Sequence, residues 1–322
     1  MSLAAVLVED AGRAASGPDF FRSVEFLAAE KATHSLLIHE PDDPTALIAS
    51  APLLVRDIPG SGRRDAISPY GYPGFAISDG PQFNFEFPID PATIDFSSTG
   101  LVTIFVRHAL GGPPPLTGAT PRNVCLLSDP DLPRKSRASD RQQIRKNLKL
   151  GHTVEITPGP ETSIEQKAEF FAAYTETMVR TGAARRYFFS ESYFKRILSA
   201  EGTWLFICRN AEGQAAAASI AVLSDRLLHY YLSGTADAHL KGAPMKNLLE
   251  EMIGFGAERE LAVNFGGGIV PGDALEEFKR GFANREEQWF TSELVCDPAA
   301  DVELTESLAP GADPGFFPSY RA

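Results

Sequence analysis

Cysteine is scarce in this chain of 322 residues: Cys125, Cys208 and Cys296 are scattered without metal-ligand spacing, and their number is odd. That argues against a disulfide framework or a paired-cysteine zinc site and leaves buried thiols acting as small hydrophobes. Long apolar runs are also missing. No stretch reaches the ~18 residues that would cross a bilayer, and the apolar start from Met1 to Val8 lacks the basic beginning and long centre of a secretion signal. The expectation is a cytoplasmic protein. Positive charge is in deficit, with 30 Lys and Arg against 42 Asp and Glu, and the net charge of −12 disfavours coating nucleic acid by bulk electrostatics. A local basic patch remains compatible with that total. Absent as well are a Ser-His-Asp order, a Walker loop and an H-E-x-x-H helix, and Gly266-Gly267-Gly268 is not a dinucleotide fingerprint. Hydrolase, ATPase and metalloenzyme readings therefore have no support, and neither a metal nor a resident cofactor is expected.

What is present is the composition of a globular protein, 43% apolar and 10% aromatic. The length suggests two domains of about 150 residues each, with the boundary placed near residue 145, giving 1–145 and 146–322. The second half parses clearly. Ser163 and Gln166 form a capping-box pattern, and Ile164, Ala168, Phe171, Tyr174 and Met178 fall at helical spacing on one face. A helix from Ser190 to Ser199 follows, then a hairpin of Trp204–Arg209 and Ala215–Leu223 about the turn Asn210–Gly213. Leu227–Leu232 reads as a strand, Met245, Leu248, Leu249, Met252 and Ile253 as one side of a helix, and a strand then ends at Phe265. In the first half, Leu47–Val55, Leu101–His108 and Val124–Leu127 look like strands, and Arg141–Lys149 like a basic helix.

The densest signal is Asn264-Phe265-Gly266-Gly267-Gly268 followed by Leu275-Glu276-Glu277-Phe278-Lys279-Arg280-Gly281-Phe282. Glycines let a backbone approach a ligand closely, and a short helix then delivers paired cations anchored by Phe278 and Phe282 at i and i+4. Such a constellation suits an anionic substrate, although a K-R pair on its own is usually a solvated helix face. In the first half, Ser68-Pro69-Tyr70-Gly71-Tyr72-Pro73-Gly74-Phe75 reads as a rigid turn presenting phenols, or simply as a packed turn. Phe105-Val106-Arg107-His108 ends a strand with a residue able to grip a carboxylate or phosphate and one able to take a proton near neutral pH. A structural Arg and a loop His fit those positions equally well.

These segments resemble the Fem family of non-ribosomal peptidyltransferases: N-F-G-G is similar to its D-F-G-G-like strand end, F-K-R-G-F to its F-K-x-G-F segment, and S-P-Y-G-Y-P-G-F to its S-P-Y-G-Y-x-G-P turn. Asn264 stands where the family usually has Asp. F-V-R-H is similar to an F-V-R-L-H segment with one residue missing, and Arg141–Lys149, including Arg145, to a basic helix that leads into the second domain. The resemblance runs from roughly Asp65 to Phe290. It implies an α/β fold of two GNAT-like domains in tandem, each a mixed twisted sheet flanked by helices, the first on the acceptor side and the second on the donor side. It also implies aminoacyl transfer from aminoacyl-tRNA to an amine of a peptide-like acceptor, a peptidoglycan precursor or a natural-product intermediate. Lys279 and His108 are then the catalytic candidates. Tyr70, Tyr72, Arg107, Asn264, Gly266 and Gly267 are the substrate-binding set, and Lys279, Arg280 and Arg145 would meet tRNA.

The alternative is a GNAT enzyme using acyl-CoA, with a non-catalytic binding module as an outsider. In GNAT enzymes a Q/R-x-x-G-x-G/A loop holds the pyrophosphate by its N–H groups. Here the equivalent place reads His239-Leu240-Lys241-Gly242-Ala243-Pro244, and proline has no N–H to give.

Overall fold

The apolar opening of the chain is a strand, which its sequence alone did not announce. The computed structural model describes residues 2–15, 19–78, 88–311, 313 and 315–322. Two compact units are present, one made of Met1–Gly17, Phe21–Arg122 and Trp289–Ala322, the other of Pro18–Phe20 and Asn123–Gln288.

In the first unit β1 (Leu3–Val8), β2 (His34–Glu40) and β3 (Asp43–Asp57) form an antiparallel meander. The short helix α1 (Val24–Ala29) precedes β2, started by Ser23, whose hydroxyl accepts the Phe26 N–H. Then come β4 (Arg64–Ile67), β5 (Ala76–Ile77), β6 (Ile94–Asp95) and β7 (Thr103–Arg107), and at the end of the chain β14 (Arg285–Val295), which belongs to this unit from Trp289 on, and α7 (Pro298–Leu308). The strand order is β6-β1-β2-β3-β4-β7-β14, with β5 on β3. The β1–β6 and β4–β7 pairs are parallel and the remaining neighbours antiparallel. Leu36, Ile38, Leu53, Ile104, Val106 and Leu294 build its core.

The second unit holds β8 (Thr120–Ser128) from Asn123 on, α2 (Ala138–Lys149), β9 (Thr153–Pro158), α3 (Ile164–Arg180), α4 (Glu191–Ile197), β10 (Thr203–Arg209) and β11 (Ala215–Ser224). It continues with β12 (Leu227–Thr235), α5 (Met245–Ala257), β13 (Ala262–Gly266) and α6 (Ala274–Arg280). Residue 145, where the boundary was placed, lies inside α2, and that helix belongs to this unit because Ile144 joins the core of Leu248, Met252 and Phe282. The C-terminal residues, assigned by sequence to the second domain, return to the first unit, where Leu294 is part of the core.

The helix–helix–hairpin–strand–helix–strand–helix order expected of the second half is the order observed. The capping box at Ser163 and Gln166 is formed, but the buried face of α3 is rotated about one residue from the expected stripe. Gln166, Phe170, Ala173 and Tyr174 point inward, while Ile164 is 78% exposed. An aromatic cluster explains the rotation: Phe170 and Tyr174 both meet Phe194 edge-on at 5.0 Å. Gln166 is drawn in by donating to Glu155 and Thr157. All five apolar residues expected on the inner side of α5 are buried.

The strand order here is β8-β13-β12-β11-β10-β9, and only β12–β13 is parallel. That parallel contact covers just Leu227–His229 against Ala262–Asn264. Beyond it β12 carries a bulge, where Ile220 faces Leu232 but Ala221 faces Tyr230, and Tyr231 is the extra residue. The two strands thus part at His229 and Asn264. Among the described residues, no helix is long and apolar enough to cross a membrane.

Candidate functional site

At the parting of β12 and β13 the polar groups form one continuous hydrogen-bonded chain. His229 is 2% exposed, and burial lowers its pKa to about 4, so the imidazole is neutral. Its Nε2–H donates to the Ser224 carbonyl at 3.2 Å, which leaves Nδ1 to accept from Asn264 Nδ2 at 3.0 Å. Asn264 Oδ1 accepts the Gly266 N–H at 2.8 Å. An aspartate could not make the same pair, because it has no proton to give to a neutral ring nitrogen.

The glycines expected at this strand end are explained by geometry. Gly266 has φ +70°, a left-handed conformation that side chains resist, and a Cβ on Gly267 would come within 2.6 Å of the Val124 carbonyl oxygen. The Gly267 carbonyl accepts from Lys279 Nζ at 2.7 Å. Lys279, on α6, is 8% exposed, and burial lowers its pKa to about 8. It forms no ion pair among the described residues. Asp273 starts α6 by accepting the Glu276 N–H at 2.8 Å and also takes the Ile269 and Val270 N–H groups, which fixes the loop between strand and helix. Those backbone donors, Glu276 first, hold the Asp273 pKa below its usual value.

Asn264, Gly266, Gly267 and Lys279 are therefore brought together, as expected. Arg280 is not a free cation: Glu276 and Glu286 both bind its guanidinium, so the tRNA contact assigned to it is already occupied by carboxylates. Arg145 lies exposed on α2.

The candidates of the first unit gather at the end of β7. Ser68 bonds this strand twice, its N–H to the Phe105 carbonyl at 2.8 Å and its hydroxyl accepting the Arg107 N–H at 2.9 Å. The Gly74 N–H reaches the Arg107 carbonyl at 2.9 Å. Gly71 has φ +110°, and a Cβ there would meet the Phe21 ring at 2.5 Å. Tyr72 stands edge-on to Phe21 and Trp289, with centroids 5.7 and 5.8 Å apart, and Tyr70 is 40% exposed. The Arg107 guanidinium lies 5.3 Å from the Phe105 centroid and donates to the Ser68 carbonyl.

His108 departs from its assigned role. It is 1% exposed, burial lowers its pKa to about 4, and Nε2 sits 2.7 Å from Ser292 Oγ. A ring so enclosed, whose charged form burial opposes, is a core histidine rather than a base for a substrate amine.

Sequence reasoning missed His229 and Asp273. The D-x-x-E spacing of Asp273 and Glu276 was a readable helix start, whereas nothing in an apolar strand announces that its histidine faces Asn264.

Residues 134–280 match the family model described as an acetyltransferase (GNAT) domain. No sequence among curated proteins matches the chain. Among solved structures it is similar to FemX, with 13% identity, 91% of this chain and 97% of that one covered, and a TM-score of 0.59. It is also similar to L-PGS from Bacillus licheniformis, with 14% identity, 84% and 86% coverage and a TM-score of 0.56. A C-terminal DUF2156 domain from Agrobacterium fabrum gives 13% identity, 91% and 92% coverage and a TM-score of 0.59. At such identities the likeness is one of fold. The chain thus has a mixed α/β fold similar to that of FemX, and its segment 134–280 matches the acetyltransferase (GNAT) domain model.

Proposed function

We propose that this protein is an aminoacyltransferase that moves an aminoacyl group from aminoacyl-tRNA to an amine of a peptide-like acceptor. The observation that carries this reading is Lys279, a buried ammonium at a glycine-built strand end with one carbonyl partner and no ion pair among the described residues. A buried cation costs folding free energy unless a counter-ion arrives. A phosphate of the tRNA acceptor end supplies that charge. The FemX-like fold and the GNAT domain support acyl transfer as the reaction class.

In the reaction the acceptor amine attacks the ester carbonyl, the bond to the ribose oxygen breaks, and the amine proton is lost as the 3′-hydroxyl regains one. The ester is already activated, so alignment and charge stabilisation suffice without a covalent enzyme intermediate. Lys279 holds the phosphate and offsets charge on the leaving alkoxide. Tyr70, Tyr72 and Arg107 bind the acceptor, and Arg145 adds a cation for RNA. With His108 enclosed, a second amine molecule or solvent takes the amine proton.

A second reading, acyl transfer from acyl-CoA, is favoured by the acetyltransferase description of the matched domain. Against it, Pro244 occupies the N-cap of α5 and offers no N–H, while Asn147 and Gln143 donate to the adjacent Gly242 carbonyl. Incubation with charged total tRNA, and separately with acetyl-CoA, against candidate amines decides between them. Release of deacylated tRNA is the expected result. Free thiol instead would establish the second reading, and turnover with neither donor would indicate a binding module.

A further inference from the structure

Burying a polar imidazole between two parallel strands is costly unless both nitrogens are satisfied, and at His229 both are. One nitrogen ties the ring to the β11–β12 turn, where Asp225 and Arg226 have φ of 50° and 61°, a two-residue hairpin geometry that fixes the Ser224 carbonyl. The other nitrogen holds the Asn264 amide with its oxygen toward Gly266. Without that bond Asn264 could rotate, the left-handed turn at Gly266 would lose its side-chain brace, and the Gly267 carbonyl would leave the line to Lys279.

We propose that His229 is a positioning residue that acts through Asn264 and the Gly266–Gly267 turn to hold Lys279 in its buried place. This inference rests on the reading of Lys279 as the donor-site cation. The groups facing that ammonium are Cys125 from β8 and Asp273 and Glu276 from its own helix, and His229 is faced by Asp19. None of them replaces the Gly267 carbonyl, the only hydrogen-bond acceptor of Lys279 among the described residues.

The test reads Lys279 directly, by competitive acetic anhydride labelling of the full chain as a function of pH, with mass spectrometry of the Lys279 peptide. In wild type the labelling midpoint lies near the lowered pKa of about 8. His229→Leu removes both bonds and releases the lysine toward water, so its midpoint rises by about one unit or more, a tenfold fall in the neutral fraction at pH 7. His229→Gln can still donate to the Ser224 carbonyl and accept from Asn264, and it returns the midpoint to the wild-type value. An unchanged midpoint in folded His229→Leu overturns the proposal. Should that variant not fold, Gly266→Ala breaks the same chain at the turn, where an added Cβ has only an ordinary 3.6 Å contact with Lys279 Nζ. The same rise is expected there, and its absence is equally decisive. The readout needs no transfer reaction, so failure of tRNA-dependent turnover would reject the functional reading and leave this result intact.

Discussion

Lys279 Nζ lies 2.7 Å from the carbonyl oxygen of Gly267, a neutral partner for a buried cation whose pKa falls to about 8. A base with a lowered folded-state pKa takes up a proton more readily when the chain unfolds. Its share of stability is therefore full above pH 10.5, is lost as pH falls toward 8, and is missing at pH 7. Lys279→Met should accordingly raise unfolding free energy by about 1–3 kcal/mol in urea titrations. Transfer should fall about ten- to a hundredfold, the worth of one charge-assisted contact, and the salt dependence of tRNA binding should weaken. A lysine that merely braced Gly267 would show the opposite stability change and an unaltered salt slope.

Pro244 at the start of α5 sets the expectation for acyl-CoA. With one backbone donor missing from the phosphate loop, acetyl-CoA should bind in the high-micromolar range or worse, weaker than about −6 kcal/mol by calorimetry. Low-micromolar affinity would move the assignment to the second reading.

Tyr72 packs edge-on between Phe21 and Trp289, contacts that phenylalanine would keep. Tyr72→Phe should raise KM for the acceptor amine and impair acceptor use more than it impairs folding, as read by urea unfolding beside the kinetics. Unchanged acceptor kinetics would make this turn a packing element only.

His108 and His229 are both buried with pKa values lowered to about 4 from 6.5. Each contributes stability that is complete above pH 6.5 and drains as pH falls toward 4, because the unfolded chain binds the proton first. By pH 5 the loss is about 2 kcal/mol per histidine. Urea unfolding at pH 7 and pH 5 should show this fall, and His108→Gln should remove its half. Parallel behaviour of wild type and variant would mean that His108 is hydrated.

Much of the second unit could be read in advance, because its signals are local. A capping box, a four-residue turn between apolar runs, and the i, i+3, i+4 spacing of Met245, Leu248, Leu249 and Met252 act within a few residues of themselves. The glycines before Lys279 were also legible, since only glycine suits the left-handed turn and the close approach to Val124. What the sequence could not disclose depends on partners far along the chain. The inward face of α3 is chosen by Phe194, the unit boundaries by the return of β14 to β7, and the neutrality of His229 by its burial. Burial is likewise a tertiary property: it encloses His108 in the core and lowers the pKa values of both His108 and Lys279. Residue order determined which groups this protein carries, and packing decided which of them hold charge and which can meet a substrate.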